Sequence, residues 1–259
     1  MTLSTSDLLG AVAEAAALAG RVALAHYRRE IAVEIKADGS PVTLADREAE
    51  EAVRRWLAGR FPRDAVLGEE FGSSGGPGRR WFIDPIDGTK SFVRGVPLWG
   101  SMVAVADGDE VLAGAICCPA VDELVAAARG EGCFLNGSHC HVSDCESLAD
   151  AVILATDERF RYNPERLVRW SALGERVAMA RTWGDCYGYV LVATGRAEMM
   201  VDDRLSPWDT ASLIPIIQEA GGTFTDWQGR TRLDGGDACA TNAALGGVLR
   251  TALGITLTP

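Results

Sequence analysis

The chain has 259 residues and a formal net charge of −11. That length suits one large domain or two small, intimately packed ones, and the acidity disfavours nucleic acid and anionic lipid as partners while attracting cations. No stretch is long and apolar enough to span a bilayer, and Met1 to Asp7 places no basic segment ahead of an apolar one, so a cytoplasmic protein without a signal peptide is expected.

In chain order, Leu8 to Arg28 is Ala-rich, with Leu8, Val12, Ala15, Leu18, Val22 and Ala25 at helical spacing, and Ser6 or Asp7 is placed to cap it. A second helix is predicted over Thr43 to Leu57, with Asp46 in its first turn. Ala65 to Gly68 reads as a short strand ending at Glu69-Glu70, followed by a Gly/Ser loop over Gly72 to Gly78. Trp81-Phe82-Ile83 is an apolar strand that runs into Asp84, and Thr89 opens a short helix. Ser101 to Ala106 and Glu110 to Cys117 alternate as strands around Asp107-Gly108; Leu124 to Ala128 and Gly132 to Leu135 follow, with a turn at Asn136-Gly137.

The later part alternates strand and helix. Strands are predicted at Ala151 to Ala155, Arg176 to Arg181, Ala197 to Val201 and Thr223 to Asp226. Helices are predicted at Pro164 to Leu173, Asp185 to Thr194, Pro207 to Ala220 and Ala243 to Ala252, with Pro207 in a first turn and Gly221-Gly222 as a C-terminal stop. The elements fall into halves, 1–145 with the main acidic motif and 146–259 with Asp209, expected to pack as one catalytic unit. The seven cysteines include no CxxC pair and read as reduced thiols. His139, Cys140, His141 and Cys145 fit no zinc spacing, and only one further histidine, His26, exists.

The segment Asp84-Pro85-Ile86-Asp87-Gly88-Thr89 carries the most chemistry. A buried strand delivers Asp84 to its end, Pro85 turns the chain so that Asp87 returns to the same point, and the Ile86 carbonyl leaves strand pairing as a further oxygen donor. Gly88 permits close backbone approach, and the amides of Gly88 and Thr89 at a helix start can face an anion. Oxygen-only donors select a hard cation, Mg²⁺ with Mn²⁺ as substitute, over zinc. Glu69-Glu70 is either a solvated acidic loop or a bridge to the same ion. Asp209, behind Pro207 and Trp208, is either a helix cap or a ligand from the second half. Lys36 and Asp46 have structural and functional readings of the same kind.

Gly68-Glu69-Glu70, Asp84 to Thr89, Trp208-Asp209 and Glu219-Ala220-Gly221-Gly222 together resemble the inositol monophosphatase-like family of magnesium-dependent, lithium-sensitive phosphatases, over Lys36 to Asn242. The resemblance implies a layered α/β (α+β) fold, an alternating α/β/α/β/α sandwich of the inositol monophosphatase/fructose bisphosphatase type, and a homodimer. It implies that Glu69, Asp84, the Ile86 carbonyl, Asp87 and Asp209 hold two or three Mg²⁺ ions. It also implies that Thr89 and Glu69, supported by Asp46, orient the attacking water, and that a small phosphate monoester rests on the amides of Gly88 and Thr89 with Lys36 nearby. Intact Glu69 and Thr89 argue against a non-catalytic metal-binding module.

Within the family, Lys90 to Pro97, Trp183 to Tyr189 and Val201 to Asp209 look most like the histidinol-phosphatase branch. Histidinol phosphate carries an ammonium and an imidazole near its ester, and Asp185 and Asp202 are candidates to pair with them; Asp185 also reads as a helix cap behind Gly184. The branch commonly has Glu at the position of Asp202 and Lys-Pro-Tyr where this chain has Ser206-Pro207-Trp208. The runner-up substrate is inositol 1-phosphate or another sugar or polyol phosphate.

Overall fold

A computed structural model describes residues 4–37 and 39–256, so Met1 to Leu3 of the segment read for a leader lie outside it. The first helix, α1 (Thr5–Leu24), begins earlier than the sequence suggests. Ser4 is its cap: Ser4 Oγ accepts the Asp7 N–H at 3.1 Å and Asp7 Oδ2 accepts the Ser4 N–H at 3.0 Å. Asp7 is thus the reciprocal partner in a capping box rather than the cap itself.

A ribbon of β1 (Val33–Ile35) and β2 (Pro41–Thr43) leads into α2 (Leu44–Arg60). Next come β3 (Ala65–Gly68), β4 (Gly72–Gly75), β5 (Arg80–Asp87), the short α3 (Thr89–Val93), β6 (Gly100–Asp107), β7 (Glu110–Cys118), β8 (Glu123–Ala128), β9 (Gly132–Leu135) and β10 (Ser138–His139). The expected Gly/Ser loop is partly strand, because β4 pairs antiparallel with β3 from Ala65 opposite Gly75 to Gly68 opposite Gly72. Backbone hydrogen bonds form that edge without any side-chain pattern to announce it. At the β9–β10 turn, Asn136 and Gly137 have φ of 48° and 81°, as an Asn-Gly hairpin turn requires.

The remainder is β11 (Val152–Ala155), α4 (Arg166–Gly174), β12 (Met179–Arg181), α5 (Asp185–Ala193), β13 (Met199–Asp202), α6 (Pro207–Glu219), β14 (Thr223–Thr225), β15 (Ala238–Thr241) and α7 (Gly246–Leu253). β3 to β10 form an eight-stranded sheet in the order β10-β9-β8-β7-β6-β5-β3-β4. The later strands form a five-stranded sheet in the order β12-β11-β13-β15-β14.

Alternation along the strands creates the layers. Trp81, Ile83, Val103 and Val105 pack with α1 and α2, whereas Phe82, Met102 and Ala104 pack with α5 and α6. Leu154, Met200 and Ala240 enter that same middle layer from the smaller sheet. Ile153, Met199, Val201 and Cys239 face the opposite way, against Trp170 and Leu173 of α4 and Leu249 and Leu253 of α7. The resulting order is α1/α2, large sheet, α5/α6, small sheet, α4/α7, the expected α/β/α/β/α sandwich. Among the described residues no helix is long and apolar enough to cross a membrane, and the seven cysteines are unpaired thiols.

Candidate active site

The acidic motif sits where β5 loses its partner. β5 pairs with β6 residue by residue up to Asp84 opposite Met102, then slips, and regains register at Asp87 opposite Gly100. The strand therefore extends through Asp87 instead of ending at Asp84, and a bulge between the two aspartates re-aims both. Ser101 Oγ donates to the Pro85 carbonyl at 2.6 Å, and the Ile86 N–H donates to Asp84 Oδ1 at 3.0 Å. The Ile86 carbonyl accepts Thr89 Oγ1 at 2.9 Å and keeps a second lone pair. Gly88 has φ +84°, and a Cβ there would lie 3.0 Å from the Leu98 carbonyl and 3.1 Å from Asp185 Oδ2. Both the backbone conformation and the close neighbours call for glycine.

The second half supplies Asp209 and Asp185. Asp209 Oδ2 accepts the Ser206 N–H at 2.8 Å in a capping box at the start of α6, so it is the reciprocal partner of the Ser206 cap rather than the cap itself, and it also faces the cleft. Asp84, Asp87 and Asp209 each offer a carboxylate oxygen, and these oxygens lie within 4.8 Å of one another. Asp185 is the first residue of α5 after the Gly184 cap and adopts φ +51°, with its N–H donated to Thr156 Oγ1 at 2.8 Å. The next amide, Cys186 N–H, donates to Asp87 Oδ2 and stitches the two halves together.

Asp46 approaches from α2. Its Oδ2 accepts Thr43 N–H at 2.7 Å and Thr43 Oγ1 at 2.6 Å, while its buried Oδ1 has no donor. Glu69 stands outside the aspartate trio: Lys36 Nζ lies 2.7 Å from Glu69 Oε1 and 2.6 Å from Glu70 Oε1. Lys36, expected beside the substrate, is thus held by two carboxylates, and Glu70 shares it.

The electrostatics follow from crowding. Burial, then the charges of Glu69, Asp87 and Asp209, pushes Asp84 well above the usual carboxylate range, and Asp84 shares a hydrogen bond with Asp209. Burial and the Asp209 charge raise Asp87 to about 7, and burial raises Asp209 to about 7. Burial and the Asp87 charge do the same to Asp185, also about 7. Asp46 is raised by burial, and Glu70 reaches about 7 by burial despite its bond to Lys36. Burial lifts Asp202 well above its ordinary value even though Thr156 and Tyr189 hydrogen-bond to it. Carboxylates this close repel one another unless protons or cations sit among them.

Asp87, Asp185, Asp202 and Asp209 line a cleft of about 440 Å³ whose rim carries Lys90, Tyr162 and Arg204. Tyr189, quoted above only as the end of a family-like segment, has its hydroxyl 2.8 Å from Asp202 Oδ2, and Thr156, which sequence reasoning missed, touches both Asp185 and Asp202. Thr156 follows β11, whose parallel pairing with β13 sets it beside Asp202, and Tyr189 reaches the same point from α5.

A donor set of carboxylates and one carbonyl fits a hard divalent cation and offers nothing to a soft one. Residues 5–253 match the model of the inositol monophosphatase family. The chain is 44% identical over 253 residues to the histidinol-phosphatase of Chlorobaculum parvum, covering 96% of this chain and 97% of that one. It is 39% identical to the histidinol-phosphatase of Streptomyces coelicolor, covering 83% and 85%. The crystal structure of the extragenic suppressor protein suhB from Bartonella henselae superposes with a TM-score of 0.89 at 30% identity, covering 95% of this chain and 97% of that one.

Proposed function

The chain belongs to the inositol monophosphatase family and is a phosphoric monoester hydrolase, and on that premise we propose that it hydrolyses L-histidinol phosphate to L-histidinol and phosphate, in histidine synthesis. The carrying observation is the acidity of the cleft beyond the aspartate trio. Asp185 Oδ2 lies 3.1 Å from where a Gly88 Cβ would be, beside the amides proposed to hold phosphate, and Asp202 continues the acidic wall. A leaving alcohol with an ammonium next to its ester would neutralise these groups, whereas a neutral polyol would leave their burial cost in place.

Asp84, Asp87, Asp209, Glu69 and the Ile86 carbonyl are the proposed ligands of two or three Mg²⁺ ions, with Mn²⁺ able to substitute. The cations supply positive charge for the phosphate oxygens and acidity to water. The protein's own groups do the rest. The amides of Gly88 and Thr89 bind phosphate oxygens. Thr89 Oγ1 donates to the Ile86 carbonyl, which turns its lone pairs outward to accept a hydrogen bond from the attacking water. Glu69 takes the proton of that water, and Asp46, within the reach of Glu69's charge, supports it. Asp185 and Asp202 hold the cationic end of the substrate so that the ester lies over the trio.

The same reading makes 1–145 and 146–259 a single catalytic unit, since Asp209 joins Asp84 and Asp87 within 4.8 Å. It also takes from the family resemblance a cytoplasmic homodimer, which light scattering of purified protein tests. The substrate is tested by phosphate release with Mg²⁺ from histidinol phosphate and inositol 1-phosphate in parallel. Much faster turnover of histidinol phosphate is expected; equal rates or the reverse order would transfer the assignment to a polyol phosphate.

A further inference from the structure

Glu50 has no part in the chemistry above, yet its side chain is wholly inaccessible to solvent. It stands one turn after Asp46 on α2 and points at the chain that carries Glu69. Its Oε2 accepts the Glu70 N–H at 2.7 Å. Its Oε1 accepts the Phe71 N–H at 3.3 Å and Arg54 Nε at 2.7 Å. Arg54 continues the contact by donating to Ser74 Oγ at 2.7 Å and to the Gly72 carbonyl. On the other side, a Cβ at Gly68 would lie 2.0 Å from Glu50 Oε1, so Gly68 is the space the carboxylate occupies.

The turn from Gly68 to Ser74 is therefore wrapped around one buried anion. Two consecutive amides, Glu70 and Phe71, are aimed inward at it, and this leaves Glu69 directed to the opposite side, toward Lys36 and the aspartates. A buried carboxylate with charge-assisted partners of this kind holds backbone more rigidly than a neutral side chain can. We propose that Glu50 is a positioning residue that fixes the Gly68–Gly72 backbone so that Glu69 presents its carboxylate to the cation cluster, without itself touching cation or substrate. The inference rests on the proposed role of Glu69 as a metal ligand. It also assigns a purpose to Gly68, which no turn conformation demands: the residue before the two glutamates is small because Glu50 lies against it.

The test is Mn²⁺ binding to purified protein, read from the free-ion signal by electron paramagnetic resonance, for wild type, Glu50→Gln and Glu69→Gln. Groups that orient a metal ligand typically alter metal affinity by about tenfold or more when replaced. Glu50→Gln, folded by circular dichroism, is expected to weaken Mn²⁺ binding by about that factor. Its KM for substrate at saturating metal stays within about twofold of wild type, and kcat recovers as metal is added. Arg54→Gln is expected to shift Mn²⁺ affinity in the same direction by less, and it provides the readout should Glu50→Gln not fold. A merely fold-stabilising role lowers the melting temperature and leaves the folded protein's Mn²⁺ affinity unchanged. That result, with Glu69→Gln losing affinity, overturns the positioning role alone. Unaltered binding in Glu69→Gln overturns the ligand assignment and the positioning role with it.

Discussion

Replacing Asp87 with Asn is expected to stabilise the metal-free protein while removing its activity. Burial first, and the charge of Asp209 second, move the Asp87 carboxyl from an ordinary 3.8 to about 7. The folded state thus binds this proton more tightly than the unfolded chain. The stability it contributes is complete below about pH 4, falls as pH rises, and is gone above about pH 7. A shift of about three units corresponds to about 4 kcal/mol at 1.36 kcal/mol per unit. Charge coupling to Asp209 and the open cleft reduce the expected effect to roughly 2 kcal/mol. Asn does not ionise, and its carbonyl oxygen can still accept the Cys186 N–H. In a chain of this size that is roughly 4–8 °C in Tm. Scanning calorimetry with a chelator should show Asp87→Asn above wild type by that margin at pH 8 and by much less at pH 5. Added Mg²⁺ should then raise wild type more than the variant, and turnover of the variant should fall at least about a hundredfold. Equal Tm values at pH 8, or equal stabilisation by Mg²⁺, would refute the crowding argument.

Asp185→Asn should raise KM for histidinol phosphate by about tenfold or more, the loss of one charge-assisted hydrogen bond, and leave inositol 1-phosphate turnover unaffected; a uniform change for both substrates would return Asp185 to a purely structural place at the start of α5. Lithium should inhibit Mg²⁺-supported phosphate release, with inhibition measured across Mg²⁺ concentrations, and insensitivity would count against a shared small-cation site. Ser4→Ala removes the α1 cap and should cost about 1 kcal/mol in urea unfolding without altering kcat; no loss would mean the capping box at Ser4 and Asp7 is not maintained in solution.

Much of this fold is readable from side-chain periodicity, and the exceptions have physical causes. α6 reads correctly through Pro215, a residue that ordinarily interrupts a helix, because its burial between two sheets outweighs one missing hydrogen bond. β15, central to the smaller sheet, is Ala238 to Thr241, too small and short to show β alternation, and it is strand only because β13 and β14 pair on either side. β4 escaped for the same reason: Gly72 to Gly75 has no apolar pattern, and its edge pairing is backbone alone. At the site, the aspartates of the Asp84 motif were legible because their spacing is local. Asp209 was named through the family resemblance, and its place beside the other two needed the second half folded against the first. Glu50 was legible in principle, four residues after Asp46 on one helix face, but its purpose needed the Gly68 contact to be seen.

Because Asp209 enters from α6 while Asp84 and Asp87 belong to β5, the aspartate trio does not exist on a partly synthesised chain. A nascent polypeptide that has emerged only through the large sheet exposes two of the three carboxylates and lacks the amide of Cys186 that steadies Asp87. On the proposed metal assignment, tight metal capture would wait until α5 and α6 have docked between the sheets, because only then do the three carboxylates lie within 4.8 Å of one another. On the same assignment a truncated or misdocked product would stay metal-poor, because it would lack either Asp209 or its approach to Asp84 and Asp87.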